Sequence, residues 1–354
     1  HLRRRLLPGE ENAQGAVARL GETLALQVFD DAGKYVRSFG KEWHGGGHGI
    51  EIRRATLAPG HWLPLTDTRH PLQGPGTALH VRSDGSDVFI AGEFAEGRGI
   101  GKRTADGWDL LGIATRSDNV DVRVLDLLHD GTFLYAAGNF TAINGVPASG
   151  VARWDGSKWE ALGTGISVNA EDFTATLLEV RSLAFVGTDL YATGVFRQAG
   201  AVATHNLARW DGNQWNAVPI GILGRDGVGG ELNPTDFGSS GNSMAAVGNA
   251  LYVGGQFFFP GRNIARWLDG KWSDSMLGGV DVSNFDVGSV NRLRAHNGSL
   301  FVQGDFRRAA VDFGRIEVSN FALWTGTQWE VPLAPIPNFG VEDFAVNADR
   351  MVVA

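Results

Sequence analysis

The sequence predicts an all-β fold, a β-propeller of four-stranded blades, and three observations carry that prediction. One phrase recurs five times: an apolar pair, a small residue, Gly, any residue, Phe, a variable stretch, then Ala-Arg-Trp or a close variant, a tight Gly turn and a second Trp. Its Gly-x-Phe step falls at Gly92, Gly138, Gly194, Gly255 and Gly304, with gaps of 46, 56, 61 and 49 residues. A period near fifty built from strand-like units is the mark of radially repeated sheets. Gly makes up 50 of the 354 residues, about twice the usual share, as many short strands with tight turns require. Strong hairpin signals also punctuate each unit at matching places, Asp155-Gly156, Asp211-Gly212, Asp269-Gly270 and Thr325-Gly326.

In chain order, residues 1–75 read as an N-terminal extension and 76–354 as the propeller. The opening HLRRRLLPGE is basic and short, with no long apolar segment after it, so it is no intact signal peptide. The start at His rather than Met reads as a processed product. Residues 15–21, GAVARLG, resemble the third strand of a blade (150–156, GVARWDG) and are candidates to complete the last one. Residues 26–39 read as a hairpin turning at Asp31-Ala32-Gly33, either a separate small unit or part of a seventh blade. The cleanest blade has strands at 122–128, 133–140, 150–154 and 158–162. Its first-to-second turn is His129-Asp130-Gly131, and the later blades repeat it at 186–188, 247–249 and 296–298. Blade one departs from the pattern: GIGKRTADGWDLLG keeps Trp108 and lacks the first Trp. Five blades span about 78–333, and a sixth begins at Phe339 with a first strand, a turn at 347–349 and a second strand. Six blades are expected, with seven the alternative.

The first-to-second and third-to-fourth turns are short. The second-to-third loops (141–149, 307–319) and the blade-to-blade loops (167–176, 221–242, 281–289) are long and irregular. An up-and-down blade puts these two long classes on one face, and variable loops on a rigid scaffold are where binding is usually found. Nine of the eleven Trp belong to the repeat, and with the repeated Phe they read as wedges between blades. A repeat unit cannot bury its own face alone. The competing reading makes the Trp sugar-stacking platforms.

The string G-x-F…N-x-A-R-W-D-G-x-x-W-x-x-L-G resembles the kelch-like and delta-60-like propeller repeats of secreted bacterial proteins, and is similar to the propeller of the fungal cortical-marker family. The resemblance implies an extracellular, periplasmic or cell-surface protein without an assigned reaction. Galactose oxidase shares a kelch-type propeller, but its class needs a copper site with a Tyr cross-linked to Cys. A chain without Cys, whose four Tyr include three in the repeated second strand, does not build one.

The net charge of −8 argues against nucleic acid and anionic membranes. No apolar stretch is long enough for a membrane span. The absence of Cys removes disulfides, Cys-ligated zinc and thiol catalysis. Four His fall within 42–70, and His44 and His48 in EWHGGGHGIE are candidate metal ligands, set against a flexible Gly-rich loop. The blade-to-blade loops repeat an acid-plus-Phe theme: Asp118 and Asp121, then Glu171, Asp172 and Phe173, then Asp236 and Phe237, then Phe285 and Asp286, then Glu342 and Asp343. These side chains are candidates for a binding ring at the channel mouth that would meet a protein partner or calcium, set against solvated loop charges with Phe plugging between blades. No nucleophile elbow, phosphate loop or two-His zinc motif occurs. A carboxylate pair for glycoside cleavage would have to be assembled from different blades. The sequence therefore favours a non-enzymatic protein-binding or scaffold subunit, with a glycan-binding lectin or carbohydrate-active enzyme on the same face as the alternative.

Overall fold

The computed structural model describes residues 26–29, 35–39, 72–81, 87–104, 107–118, 120–167, 178–219, 221–225, 232–233, 239–273, 276, 279–281, 288–310, 314–331, 344–347 and 350–353. Among these residues there is no helix, and every paired strand is antiparallel. Five four-stranded meanders follow one another. Blade A holds Leu72–Val81, Val88–Phe94, Gly97–Thr104 and Gly107–Thr115. Blade B holds Val124–His129, Leu134–Gly138, Val151–Trp154 and Trp159–Ala161. Blade C holds Glu179–Val186, Asp189–Val195, Leu207–Trp210 and Trp215–Ala217. Blade D holds Ser240–Val247, Ala250–Gln256, Ile264–Leu268 and Lys271–Ser273. Blade E holds Ser289–His296, Ser299–Asp305, Phe321–Trp324 and Trp329–Glu330.

The first strands pack against one another in chain order, and that of blade E packs on the hairpin Phe344–Asn347 with Arg350–Val353. This hairpin holds the place of two inner strands of a further blade. Leu26–Phe29 pairs with Tyr35–Phe39, as the turn signal between them predicts. The strand-like stretch at 15–21 lies outside the described residues.

The repeated residues each have a mechanical reason. Beside Gly138, Gly194, Gly255 and Gly304 the pairing with the first strand slips by one residue. A Cβ at these glycines would collide with the carbonyl oxygens of Arg123, Glu179, Ser240 and Ser289. The bulge requires Gly because two backbones occupy the space of a side chain. Two residues on, Phe94, Phe140, Phe196, Phe257 and Phe306 are fully buried.

The Asn before the third strand turns a left-handed corner, at φ 61°, 62° and 61° for Asn206, Asn263 and Asn320, a conformation Asn tolerates better than most residues. Its backbone pairs with the Gly-x-Phe segment. In blades C and D its side-chain carbonyl accepts the Phe196 and Phe257 N–H groups, and its amide donates to the Ser239 and Val280 carbonyls.

The paired Trp are cross-strand neighbours, Trp154 with Trp159, Trp210 with Trp215, Trp267 with Trp272 and Trp324 with Trp329. The second of each pair reaches back to the preceding blade. The indole N–H groups of Trp159, Trp215, Trp272 and Trp329 donate to the carbonyls of Leu111, Leu162, Pro219 and Met276 at 2.8–3.0 Å. The described Trp of the repeat are thus cement between blades, as the core reading of the sequence expects.

The loops read as irregular are partly regular. Ala142–Ile143, folded back on Val146–Pro147, pairs with Ala114 and Thr115 at the end of blade A. Ile166–Ser167, leaving blade B, pairs with Gln198–Ala199 of the loop Gln198–Ala199/Val202–Ala203 in blade C. Val280–Asp281, leaving blade D, pairs likewise with Arg308–Ala309 in blade E, and Leu223 bridges to Phe259. In blades B to E the second-to-third loop therefore stitches down the linker of the blade before it, satisfying backbone groups that a long loop would otherwise leave open.

Replacing Trp215 by Phe keeps an aromatic ring and deletes the N–H that Leu162 accepts. An orphaned buried carbonyl costs about 1–3 kcal/mol. The expected result is a drop of that size in unfolding free energy by urea titration, with an unchanged far-UV spectrum.

Candidate functional site

Strand alternation puts the second-to-third loops and the linkers at one end of every blade and the short turns at the other. The short-turn end is spare. Asp155 and Asp211 each accept two backbone N–H groups of their own turns, which holds both carboxyls below the usual range. Asp269 and Gly270 close a two-residue turn with φ 50° and 76°.

At the long-loop end, the structure describes two of the acids that the sequence singles out, and both lie on the linker from blade A to blade B. The largely buried guanidinium of Arg116 grips both oxygens of Asp118 and donates to the Asn139 carbonyl at 2.6 Å. The hydrogen bonding of Arg116 to the carboxylate pulls the exposed Asp118 carboxyl down to about 2. Asn139 ties the rest of the linker, with its amide carbonyl accepting the Arg123 N–H at 2.6 Å and its NH2 donating to the Asp121 carbonyl at 2.8 Å. The Asp121 carboxylate lies 3.1 Å from Arg98 of blade A and 3.7 Å from Arg123 of blade B. Beside them a small cavity is lined by Gly92, Arg98, Gly99, Arg123 and Val124. The sequence reading missed Arg98, Arg116, Arg123 and Asn139. Asn139 sits at the variable position of the Gly-x-Phe step and Arg98 in the variable stretch after it, where the repeat dictates no residue type.

Glu171, Asp172, Phe173, Asp236, Phe237, Phe285, Asp286, Glu342 and Asp343 lie outside the described residues, as do His44 and His48. Among the described residues, no group of three or more His, Asp or Glu is placed to hold a metal ion. No described helix is long and apolar enough to cross a membrane. The repeated Tyr135, Tyr191 and Tyr252 are buried, and burial pushes the Tyr135 phenol up to about 12.

One further acid stands out near the axis. On the first strands of blades B, C and D one side chain accepts an N–H from the next blade's first strand: Asp126 takes that of Leu183 at 2.7 Å, Ser182 that of Met244 at 3.0 Å and Ser243 that of Leu293 at 3.1 Å. The corresponding place in blade E is Arg292. Asp126 is the ionisable member among three acceptors. Packing around it withdraws water and raises its carboxyl to about 6, against the pull of the Leu183 N–H and of the Arg294 and Arg292 charges on blade E. Aligning the first strands of the repeats brings Asp126 opposite two serines, a signal the sequence does contain.

No family model matches the chain, and none of the curated proteins matches it. Among solved structures, one that matches is a nidogen/laminin complex, at 11% identity, over 65% of this chain and 72% of that one, with a TM-score of 0.38. At that similarity the likeness says nothing of function. The strands and their stitching define the class on their own: an all-β repeat protein of propeller-like, four-stranded antiparallel blades.

A carboxyl whose folded pKa is raised stabilises the fold most below its unfolded pKa and loses that contribution as pH rises through the folded value. For Asp126 the window runs from about pH 4 to about pH 6. Asp126→Ser, which keeps the acceptor in the form used by blades C and D, should raise stability at pH 8. The full shift corresponds to at most about 3 kcal/mol, and the solvent contact the half-buried side chain retains lowers this toward about 1 kcal/mol. Unfolding midpoints measured from pH 4 to pH 8 should show a shallower decline for the variant.

Proposed function

We propose that this chain is a secreted or surface-exposed β-propeller that serves as the protein-binding or scaffold subunit of a larger assembly, through its long-loop face. The observation that carries the reading is the division of labour among the side chains. The aromatic residues of the repeat are spent between blades, and the long-loop end presents exposed ionic side chains on stitched, rigid linkers. Asp118 and Asp121 there are about half exposed, at 47% and 57%. Among the described residues, the exposed large hydrophobic is Val331, not an aromatic platform on which a sugar could stack. A polar rim on a fixed scaffold suits a protein interface. The absence of a nucleophile motif from the sequence points the same way.

Protein isolated from its native source under mild conditions should run as a reproducible complex well above its own 37.9 kDa, and Asp118→Trp, which places a bulky side chain on the long-loop face, should release it while Ser157→Trp on the short-turn face does not. A lone monomer would overturn the reading and transfer weight to the glycan-binding alternative, which glycan screening would then examine.

The proposal includes a ring of six blades of the kelch-like kind, the last completed by residues 15–21. In blade C, Ala208 lies opposite Ala192 and Arg209 opposite Tyr191. Because Asn347 pairs with Arg350 as Val186 does with Asp189, the same register sets Ala18 opposite Val353 and Arg19 opposite Val352. The chain has no Cys, so Ala18→Cys with Val353→Cys introduces the sole thiols. Mild oxidation should give an intramolecular disulfide, whereas Ala18→Cys with Val352→Cys, one residue out of register, should not. Free thiols or intermolecular dimers from the in-register pair would contradict the closure.

A further inference from the structure

Blade A breaks the repeat at one place on the long-loop face. Its second and third strands are joined by the tight turn Ala95-Glu96, where blades B, C and E carry stitched loops. By register its Gly99, like Gly150 of blade B, stands where blades C and D place Asn206 and Asn263. Those asparagines send an amide across to the chain leading into the next blade. Gly99 sends nothing, and a small cavity between Gly92, Gly99 and Val124 remains at the seam. Arg98 and Arg123 stand at its edge, one from each blade, and both turn toward the same carboxylate, Asp121.

We propose that Arg98 and Arg123 form a carboxylate clamp at the seam of blades A and B, and that Asp121 occupies it in the free protein as a stand-in for an acidic side chain of the protein partner. This inference rests on the protein-binding reading above and names the chemistry of the contact. Guanidinium groups are suited to forked recognition of carboxylates. The resident pair is weak enough to exchange: Asp121 is more than half exposed, Arg98 a third and Arg123 half, and ion pairs in that setting contribute little. An incoming acid delivered on a protein surface would exclude water from the same two guanidiniums and strengthen the contact. The local charge balance accommodates the exchange. Glu93 lies 4.0 Å from Arg98, and Asp118 is held by Arg116 and does not compete for the clamp.

The test titrates a hexaglutamate peptide into the intact chain at low salt, with heat or amide chemical shifts as readout. Asp121→Asn, which empties the clamp while keeping the shape of the side chain, should bind the peptide about two- to fivefold more tightly than the unaltered protein, a gain equal to removing a competing exposed ion pair. Arg98→Gln/Arg123→Gln in the Asp121→Asn background should abolish that binding, and Arg98→Lys should restore part of it. Unchanged melting temperatures certify that the variants are folded. Peptide binding that ignores either Asp121→Asn or the paired Arg substitutions overturns the clamp. If the native assembly survives Arg98→Gln/Arg123→Gln, the clamp falls and the loop-face interface stands. If no assembly exists, the interface falls, and the peptide result still decides the clamp.

Discussion

The structure depends on a hydrogen bond made between blades. A four-stranded sheet of this size has two apolar faces and cannot stand alone, so each blade must be fixed to the one before it. The second Trp of the repeat does this twice over. Its ring lies against the preceding blade, that of Trp159 over Gly112 and that of Trp215 beside Gly163, and its N–H closes on a carbonyl of the same blade. Leu162, Pro219 and Met276 follow the outer strands of their blades, and Leu111 is the bulged residue of the outer strand of blade A, so no further strand satisfies these carbonyls. The most expensive side chain in the repeat therefore resolves both the apolar and the polar problem of the same seam.

Other devices act at other radii. Near the axis, Asp126, Ser182 and Ser243 latch one first strand to the next. On the long-loop rim, short paired segments sew each linker to the following blade. At the D–E stitch, Asp281 is buried between Arg262 and Arg308 at 3.2 and 2.7 Å, a buried ion pair that would be costly to break on one side only. Because the seams are held at three radii, the linkers become rigid supports, and the charged side chains they carry are presented in fixed positions. Function in this account belongs to what the linkers display.

Much of this was legible in the sequence, for a physical reason. Where the backbone itself imposes the requirement, one residue type recurs: Gly at the bulge, Asn at the left-handed corner, Phe under the second strand, Trp at the seam. Strand ranges for blade B were read to within about two residues, and the N-terminal hairpin followed from its turn. The stitching of the loops was not legible, because two-residue pairings such as Ile166–Ser167 with Gln198–Ala199 leave no periodicity. Nor was the Asp118 and Asp121 network. The theme of acid plus Phe marked the acids, but their Arg partners come from Arg98 and Arg123 on different blades and from Arg116, residues whose convergence depends on the fold. Asp126 could have been read by aligning the first strands with each other rather than the more conspicuous second and third.

Hydrogen exchange on the protein free and in its native assembly addresses the central claim most directly, because it reads both ends of the blades at once. The account predicts added protection of the amides at 116–123 on assembly, with the turns at 155–158 and 211–214 unchanged. Protection concentrated at those turns, or none at 116–123, would contradict it.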